Sequence, residues 1–183
     1  LATTIYLAAR YERGRSSGPI GRISEMDGRV EVQDARGRTW KGLATSESLL
    51  RGSLLKVGPG GMAKISGPMG TIVAGPDSAF KIDAKEDDSK VTLDAGELIV
   101  RRGTNPLTLV IETSAGAISL GAKAEVIISR PPGQTFTVVE VLDGETKILG
   151  TKGEPQVLTS MNTPFLMSES KAPAIWIKSP GPE

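Results

Sequence analysis

Glycine and proline interrupt this sequence so often that no long helix can form in its central part. The chain of 183 residues contains 22 Gly and 12 Pro. Between Ile20 and Leu158 they separate short apolar segments at intervals of about 8 to 12 residues, which is the spacing of strands in all-β domains. Because Pro lacks an N–H donor and Gly is costly to order, the sequence predicts about 13 to 16 short strands and almost no helix.

Alternation of apolar and polar residues marks individual strands. Val30 and Val32 alternate with Glu31 and Gln33. The same period of two is found at Leu107, Leu109 and Ile111, at Ala124, Val126 and Ile128, and at Phe136 and Val138. Successive side chains of a strand point to opposite faces, so we expect these apolar residues to face a core. Aromatic residues make up only 4% of the chain, so that core must consist mainly of Val, Ile, Leu and Ala.

Glycines also indicate how the strands are connected. Asp27-Gly28 and Asp143-Gly144 are typical of tight hairpin turns, because Gly accepts the positive φ that such turns require. Gly28, Gly96, Gly116 and Gly144 each precede an alternating strand. This loose repetition favours stacked, short antiparallel strands, in a solenoid-like or a sandwich-like arrangement. It is also consistent with glycines that simply begin strands, as they do in any all-β protein.

We divide the chain into four parts. Residues 1–13 are predicted to form a short N-terminal helix, residues 14–19 a linker and residues 20–160 the β domain. Residues 161–183 are predicted to be a C-terminal strand and a Pro-rich segment that leads to a further region, so we interpret the sequence as part of a longer protein. The helix is either packed on the domain or the outer end of a membrane anchor, because nine apolar or hydroxylic residues cannot span a bilayer that needs about 20. The anchoring residues would be Leu1, Ile5, Tyr6 and Leu7.

The composition argues against most catalytic chemistry. The chain has no Cys, which excludes thiolate nucleophiles, disulfides and Cys-built zinc sites. It has no His either, which removes the commonest general base and metal ligand. Hydrolases that use only carboxylates or Lys remain formally open, but we expect no enzyme and no cofactor. The formal net charge of +1 gives no field that would attract nucleic acid.

Three local patterns suggest chemistry but have simpler interpretations. Gly58 to Ala63 matches the dinucleotide motif G-x-G-x-x-A, yet Gly67-Pro68 leaves no room for the helix that a pyrophosphate needs. The acidic run Glu86, Asp87 and Asp88 lacks the ligand spacing of a calcium loop, and we predict a solvated loop there. Trp40 is flanked by basic residues, and we predict that it caps the core rather than stacking on nucleic acid.

A hydrophobic segment near the C-terminus is a candidate contact site. Ile175, Trp176 and Ile177 lie between Pro173 and Pro180. An apolar strand bounded by prolines is typical of a sheet edge, where an unpaired strand can bind another chain. The segment would therefore dock on a partner or on the next domain, or it would close the sheet of this domain.

Residues Gly21 to Leu149 resemble a FecR domain, of the ferric-citrate regulator family. The segment Val91 to Val100, Val-Thr-Leu-Asp-Ala-Gly-Glu-Leu-Ile-Val, is similar to the family's Leu-x-x-Gly-x-x-x-Val signature. Further segments that resemble the family, in the same order along the chain, are Gly21 to Val32, Leu50 to Val57, Ala63 to Ile82, Ile111 to Gly121 and Val139 to Ile148. Gly121 to Ala124 departs from the pattern, because relatives usually carry Gly-Thr and then an aromatic strand, and this argues against the iron-signalling subgroup.

The resemblance implies an all-β periplasmic domain of a Gram-negative envelope, anchored in the inner membrane by an N-terminal helix and working by protein contact. The first function that we expect is a scaffold or assembly subunit in a multiprotein or homo-oligomeric envelope complex. The second is a transmembrane signal transducer that controls a sigma factor, which requires a cytoplasmic segment before Leu1. The third is a cell-wall or carbohydrate binder, which the scarcity of aromatic residues disfavours.

Overall fold

The structure, a computed structural model, describes residues 19–35, 39–84, 88–106, 108–150, 155–159 and 164–169. These residues form sixteen β-strands and no helix, as the glycine and proline spacing predicted. The predicted N-terminal helix (1–13) lies outside the described residues. In chain order the strands are β1 (Pro19–Asp27), β2 (Val30–Gln33), β3 (Lys41–Gly42), β4 (Ser48–Leu50), β5 (Ser53–Val57), β6 (Met62–Gly67), β7 (Gly70–Ala74), β8 (Ala79–Ala84), β9 (Asp88–Arg101), β10 (Thr108–Thr113), β11 (Gly116–Leu120), β12 (Glu125–Arg130), β13 (Phe136–Asp143), β14 (Glu145–Gly150), β15 (Gln156–Thr159) and β16 (Phe165–Ser168).

The strands form two sheets that share β9. Sheet A has the order β4, β1, β6, β7, β9, β12, β13, β16, and sheet B has the order β3, β2, β5, β8, β9, β10, β11, β14, β15. The first half of β9 pairs with β8 and β10 in sheet B, and the second half pairs with β7 and β12 in sheet A. The β9–β10 pair is parallel, whereas the other pairs are antiparallel. The chain crosses between the sheets in the middle of β9, at Gly96.

A hydrophobic core lies between the two sheets. Sheet A contributes fully buried residues such as Ile23, Ile65, Ile72, Leu98 and Val126, and sheet B contributes Leu55, Phe80, Ile82, Leu93 and Ile111. The predicted alternation is confirmed in β2, β12 and, at Leu109 and Ile111, β10, whereas Leu107 lies outside the described residues. Successive hairpins are added to the two sheets in turn, with β10–β11 in sheet B, β12–β13 in sheet A and β14–β15 in sheet B. The result is a sandwich.

The two Asp-Gly turns do not form hairpins, and that part of the prediction was wrong. Asp27-Gly28 connects β1 of sheet A to β2 of sheet B. Asp143-Gly144 likewise connects β13 of sheet A to β14 of sheet B. The local geometry was predicted correctly: the two glycines have φ values of 68° and 76°, and each Asp Oδ1 accepts a hydrogen bond of 2.9 Å from the following N–H. A positive φ reverses the direction of the chain at the turn. Which strands then pair depends on how their apolar faces pack in the core.

The orientation of β13 was also predicted wrongly. Phe136 and Val138 are half-buried and point away from the core, whereas Thr137 and Val139 are fully buried. Both faces of this strand carry apolar or β-branched side chains, so alternation alone could not identify the inner face.

Candidate interaction surfaces

The described residues show no cluster suited to metal binding or acid–base catalysis. They contain no group of three or more His, Cys, Asp or Glu side chains that could hold a metal ion. Of the acidic run, Glu86 and Asp87 lie outside the described part, and Asp88 begins β9. Ile82 and Val91 on either side of the run are buried and pair with each other.

The G-x-G-x-x-A segment forms a turn that leads into a strand. The N–H of Gly61 donates a 3.0 Å hydrogen bond to the carbonyl of Gly58, and β6 begins at Met62. A dinucleotide site requires a helix at this point, with its N-terminus directed at the pyrophosphate. The prediction that the match is accidental is confirmed.

Trp40 does not cap the core, contrary to the prediction. It is half-buried, and its ring lies on the outer face of sheet B with Lys56 Nζ 4.3 Å from the ring centroid. Lys56 is the exposed residue between buried Leu55 and Val57 in β5. This cation–π contact contributes about 0.5–1 kcal/mol at an exposed site. The sequence could not indicate this contact, because it depends on the pairing of β5 with β2 in sheet B.

Two half-buried carboxylates near the surface pair with basic side chains. Arg101 of β9 binds Glu125 of β12 through two hydrogen bonds, Nε to Oε2 at 2.9 Å and Nη2 to Oε1 at 2.7 Å. The hydrogen bond from Arg101 lowers the pKa of Glu125, and the same contact raises the pKa of Arg101. Lys41 likewise lowers the pKa of Glu47 through a hydrogen bond. Carboxylates with lowered pKa values are ionised at neutral pH and are poorly suited to act as general acids.

A second polar cluster connects the two sheets. Glu169, which follows β16, accepts hydrogen bonds from the Ser114 hydroxyl and, at 2.9 Å, from Arg130 Nη2. Arg130 Nε also donates to the carbonyl of Asp94 at 2.9 Å. The pKa of Glu169 is lowered, first by the hydrogen bond from Ser114 and then by that from Arg130. Arg130 belongs to β12 of sheet A, Asp94 lies in the half of β9 that belongs to sheet B, and Ser114 lies in the β10–β11 turn of sheet B. We therefore assign the cluster a structural role, which is to connect the two sheets.

Arg102 is buried and connects two turns. Its Nη1 donates to the carbonyl of Met69 at 3.2 Å, and its Nη2 donates to the carbonyl of Asn105 at 3.1 Å. Asn105 Nδ2 donates in turn to the carbonyl of Pro68 at 3.0 Å. Burial lowers the pKa of Arg102. A guanidinium is the one basic group that stays charged in such surroundings, so Arg102 can anchor both turns through these carbonyls.

The outer face of sheet A carries apolar side chains on five of its strands. Val73 pairs with Ile99, and Ile99 pairs with Ile127, on the strands β7, β9 and β12. On the next strand Glu140 lies opposite Ile127, and Val138, two residues away on β13, pairs with Leu166 of β16. The five apolar side chains are half-buried and point away from the core. We call these five residues the sheet A stripe, and it is a candidate contact surface for another protein.

Sheet B has a different apolar feature at its edge. Val157 of β15 is 52% exposed, and Leu149 of β14 is 42% exposed on the same face. Of the large apolar residues that the structure describes, Leu50 and Leu142 are similarly exposed, but both belong to sheet A. Ser119, Glu145 and Lys147 line an adjoining groove of about 400 Å³ that also borders on Pro106. The groove is shallow and polar, which fits a binding site for a small molecule poorly.

The candidate residues named from the sequence lie outside the described residues. This applies to Ile175, Trp176 and Ile177, and to the anchoring residues Leu1, Ile5, Tyr6 and Leu7. Within the described ranges no helix is long and apolar enough to cross a membrane. Sequence analysis missed the sheet A stripe, although a signal was present: Leu98-Ile99-Val100 and Val126-Ile127-Ile128 are uninterrupted apolar triplets, which is typical of strands that are apolar on both faces.

The fold is similar to solved structures. Two crystal structures of a "putative anti-sigma factor" from Parabacteroides distasonis, at 2.50 and 1.65 Å resolution, match with TM-scores of 0.56 and 0.57 and 12% sequence identity. The match covers 67% of this chain and 57% of the other, so the chain spans little more than half the length of these proteins. What they share is the fold. No family model and no curated protein matches the chain, so membership of the FecR family stays a prediction.

Proposed function

We propose that this chain is the protein-interaction domain of a transmembrane regulator that controls a sigma factor, and that the domain lies in the periplasm. The supporting observation is the likeness in fold to the two P. distasonis structures, whose description names an anti-sigma factor. The resemblance of Gly21 to Leu149 to a FecR domain supports the same class of protein. In this proposal the domain binds an upstream protein and passes the signal to a cytoplasmic segment.

The surface chemistry supports a role in binding rather than in turnover. Glu125 and Glu47 are held as ionised partners of Arg101 and Lys41, so neither is available to donate a proton to a substrate. Apolar side chains instead extend across the outer face of sheet A, at Val73, Ile99 and Ile127. A flat apolar face with a charged border is the kind of surface that takes up another protein. The proposed role is therefore non-catalytic.

Transcript profiling of the source organism tests the proposal. In the full-length protein, Ile99→Lys would place a charge in the middle of the sheet A stripe, and Ser119→Lys on the outer face of sheet B would be the matched control. We expect the Ile99 variant to change a set of transcripts that share one promoter motif, and we expect a sigma factor to co-purify with the full-length protein. If deletion of residues 20–169 leaves the transcripts unchanged and no sigma factor co-purifies, the proposal is wrong.

A scaffold in an envelope complex is the second candidate, and the length of the sheet A stripe favours it. The stripe has members on five strands, from Val73 to Leu166, and an assembly subunit needs a broad contact surface. A photo-reactive amino acid at position 99 would cross-link the neighbour in cells. A scaffold predicts loss of a large complex in the Ile99→Lys variant without a coordinated change in transcripts.

A further inference from the structure

The edges of the two sheets differ in how they are protected against other strands. An edge strand exposes unpaired backbone N–H and C=O groups, and natural proteins protect it by shortness, charge or coverage. β3 is two residues long and carries Lys41, which pairs with Glu47, and β4 has three residues. β16 has four uncharged residues, but its outward-facing Leu166 is half-buried and the charged Glu169 follows it. β15, Gln-Val-Leu-Thr, is also uncharged, it pairs with β14 alone among the described strands, and its outward-facing Val157 is exposed.

The side chains of β15 are as unusual as its backbone. Leu158 is buried in the core, while Val157 points outward and is half exposed. Val157 pairs with Lys147 of β14, and Leu149 lies two residues further along β14 on the same face. Within the described residues, the edge therefore has backbone groups with no strand partner on one side, next to two apolar side chains. We call Gln156 to Thr159 together with Leu149 the β15 edge.

We propose that the β15 edge pairs with the β15 edge of a second copy of this chain, antiparallel and about a two-fold axis at Val157. The donors and acceptors of an antiparallel edge are complementary to their own two-fold image, so identical strands can pair without any change of sequence. The two Val157 side chains would meet directly, and the Leu149 side chain of each copy would flank them. Sheet B would then continue through both subunits.

The charges near this edge permit the contact between identical copies. β15 carries no charge, and in the described part of the chain the basic residue opposite Val157 is Lys147 of the neighbouring strand. In the proposed pairing the two Lys147 side chains would be three strands apart, about 14 Å at the usual spacing between strands. This separation exceeds the screening length of about 8 Å at physiological ionic strength, so their repulsion is small. The inference does not depend on the proposed control of a sigma factor.

A charge-swap experiment at position 157 tests the two-fold axis. We expect the wild-type chain to sediment as a dimer, and Val157→Lys and Val157→Glu each to raise the dimer dissociation constant by at least about tenfold, because like charges meet at the axis. An equimolar mixture of the two variants should recover the dimer, since Lys then faces Glu. Leu142→Lys, at a similarly exposed residue of sheet A, is the control and should stay dimeric. Circular dichroism would verify that the variants are folded.

The absence of Cys from the chain allows a second test with no background. Val157→Cys should form a disulfide-linked dimer under mild oxidation, whereas Leu142→Cys should not. A wild-type chain that is monomeric at about 0.5 mM, far above the Kd of a specific interface, would overturn the proposal. A dimer that is unaffected by every change at Val157 would overturn it as well, because its interface would then lie elsewhere.

Discussion

Gly96 and Ser78 pack so closely that no side-chain carbon fits between them. A Cβ atom on Gly96 would lie 2.3 Å from both the Cα and the Oγ of Ser78. The Ser78 hydroxyl donates to the carbonyl of Glu97 at 3.1 Å and accepts from its N–H at 3.0 Å. Together these contacts hold the bend at which β9 leaves sheet B and enters sheet A.

Gly96→Ala should destabilise the domain by about 2 to 5 kcal/mol, because it combines a positive φ of 96° with a clash against the backbone of a buried residue. Gly103→Ala is the matched control, since nothing lies within 4 Å of a Cβ at that position. Urea unfolding of both variants measures the difference. Equal free energies of unfolding would mean that the bend is not held by this contact.

Gly144→Ala and Gly133→Ala separate the cost of backbone strain from that of crowding. Both glycines have a positive φ, 76° and 74°, but a Cβ at Gly144 would lie 2.9 Å from Ala124 Cα, whereas the space around Gly133 is open. We expect about 1 kcal/mol of destabilisation for Gly133→Ala and about 2 to 4 kcal/mol for Gly144→Ala. Thermal unfolding of the two proteins in one buffer would reveal the difference. A larger loss of stability for Gly133→Ala than for Gly144→Ala would contradict the close packing of Gly144 against Ala124.

Arg102→Lys should cost about 1 to 3 kcal/mol, although the charge is conserved. The two terminal nitrogens of the guanidinium donate to the Met69 and Asn105 carbonyls, whereas a Lys has a single ammonium nitrogen that cannot reach both. An ammonium is also costlier to bury. The adjacent change Arg101→Lys provides the control, because that side chain is exposed, and we expect it to destabilise the domain less than Arg102→Lys. Both variants carry the same Arg→Lys change, at adjacent positions, so the difference between their denaturant midpoints measures the effect of burial at Arg102.

The contribution of Glu169 should depend on pH. Folding lowers the pKa of Glu169 from its ordinary value of 4.5, so the unfolded chain binds the proton more tightly. The stabilisation is therefore present above the unfolded pKa and is lost as the pH falls through the folded pKa. We expect Glu169→Gln to be less stable than wild type at neutral pH, and we expect this difference to shrink as the pH falls through the folded pKa.

Glu140→Gln controls for the general effect of removing a carboxylate in this pH series. The Glu140 side chain is exposed and makes no ion pair within the residues that the structure describes. Its difference from wild type should stay small across the pH series. A Glu169→Gln difference that does not change between neutral and acid pH would show that the cluster with Ser114 and Arg130 does not depend on the carboxylate charge.

Local sequence was sufficient to predict the strands but not their partners. Period-two alternation at Val30 and Val32 identified a strand and its buried face, because only one face of β2 is apolar. In β13 both faces are apolar, and the prediction for Phe136 and Val138 failed. Asp27-Gly28 shows the same limit for turns: the positive φ is a local property, whereas the assignment of β1 and β2 to different sheets depends on residues far along the chain.

The candidate surfaces were harder to predict than the fold. The sheet A stripe exists because β7, β9 and β12 align Val73, Ile99 and Ile127 in register, and register is a property of paired strands. The cation–π contact of Trp40 depends likewise on where β5 places Lys56. The absence of His and Cys did constrain the chemistry from the start, because it concerns composition and needs no geometry.

The sharing of β9 between the sheets has a consequence for how the domain comes apart. Each half of β9 is an interior strand, flanked on both sides in its own layer. Neither sheet can unfold while the other stays folded, because β9 is one continuous segment that pairs in both sheets. Melting should therefore proceed in one all-or-none step, and the amide protons of β9 should exchange with deuterated solvent only when the whole domain opens.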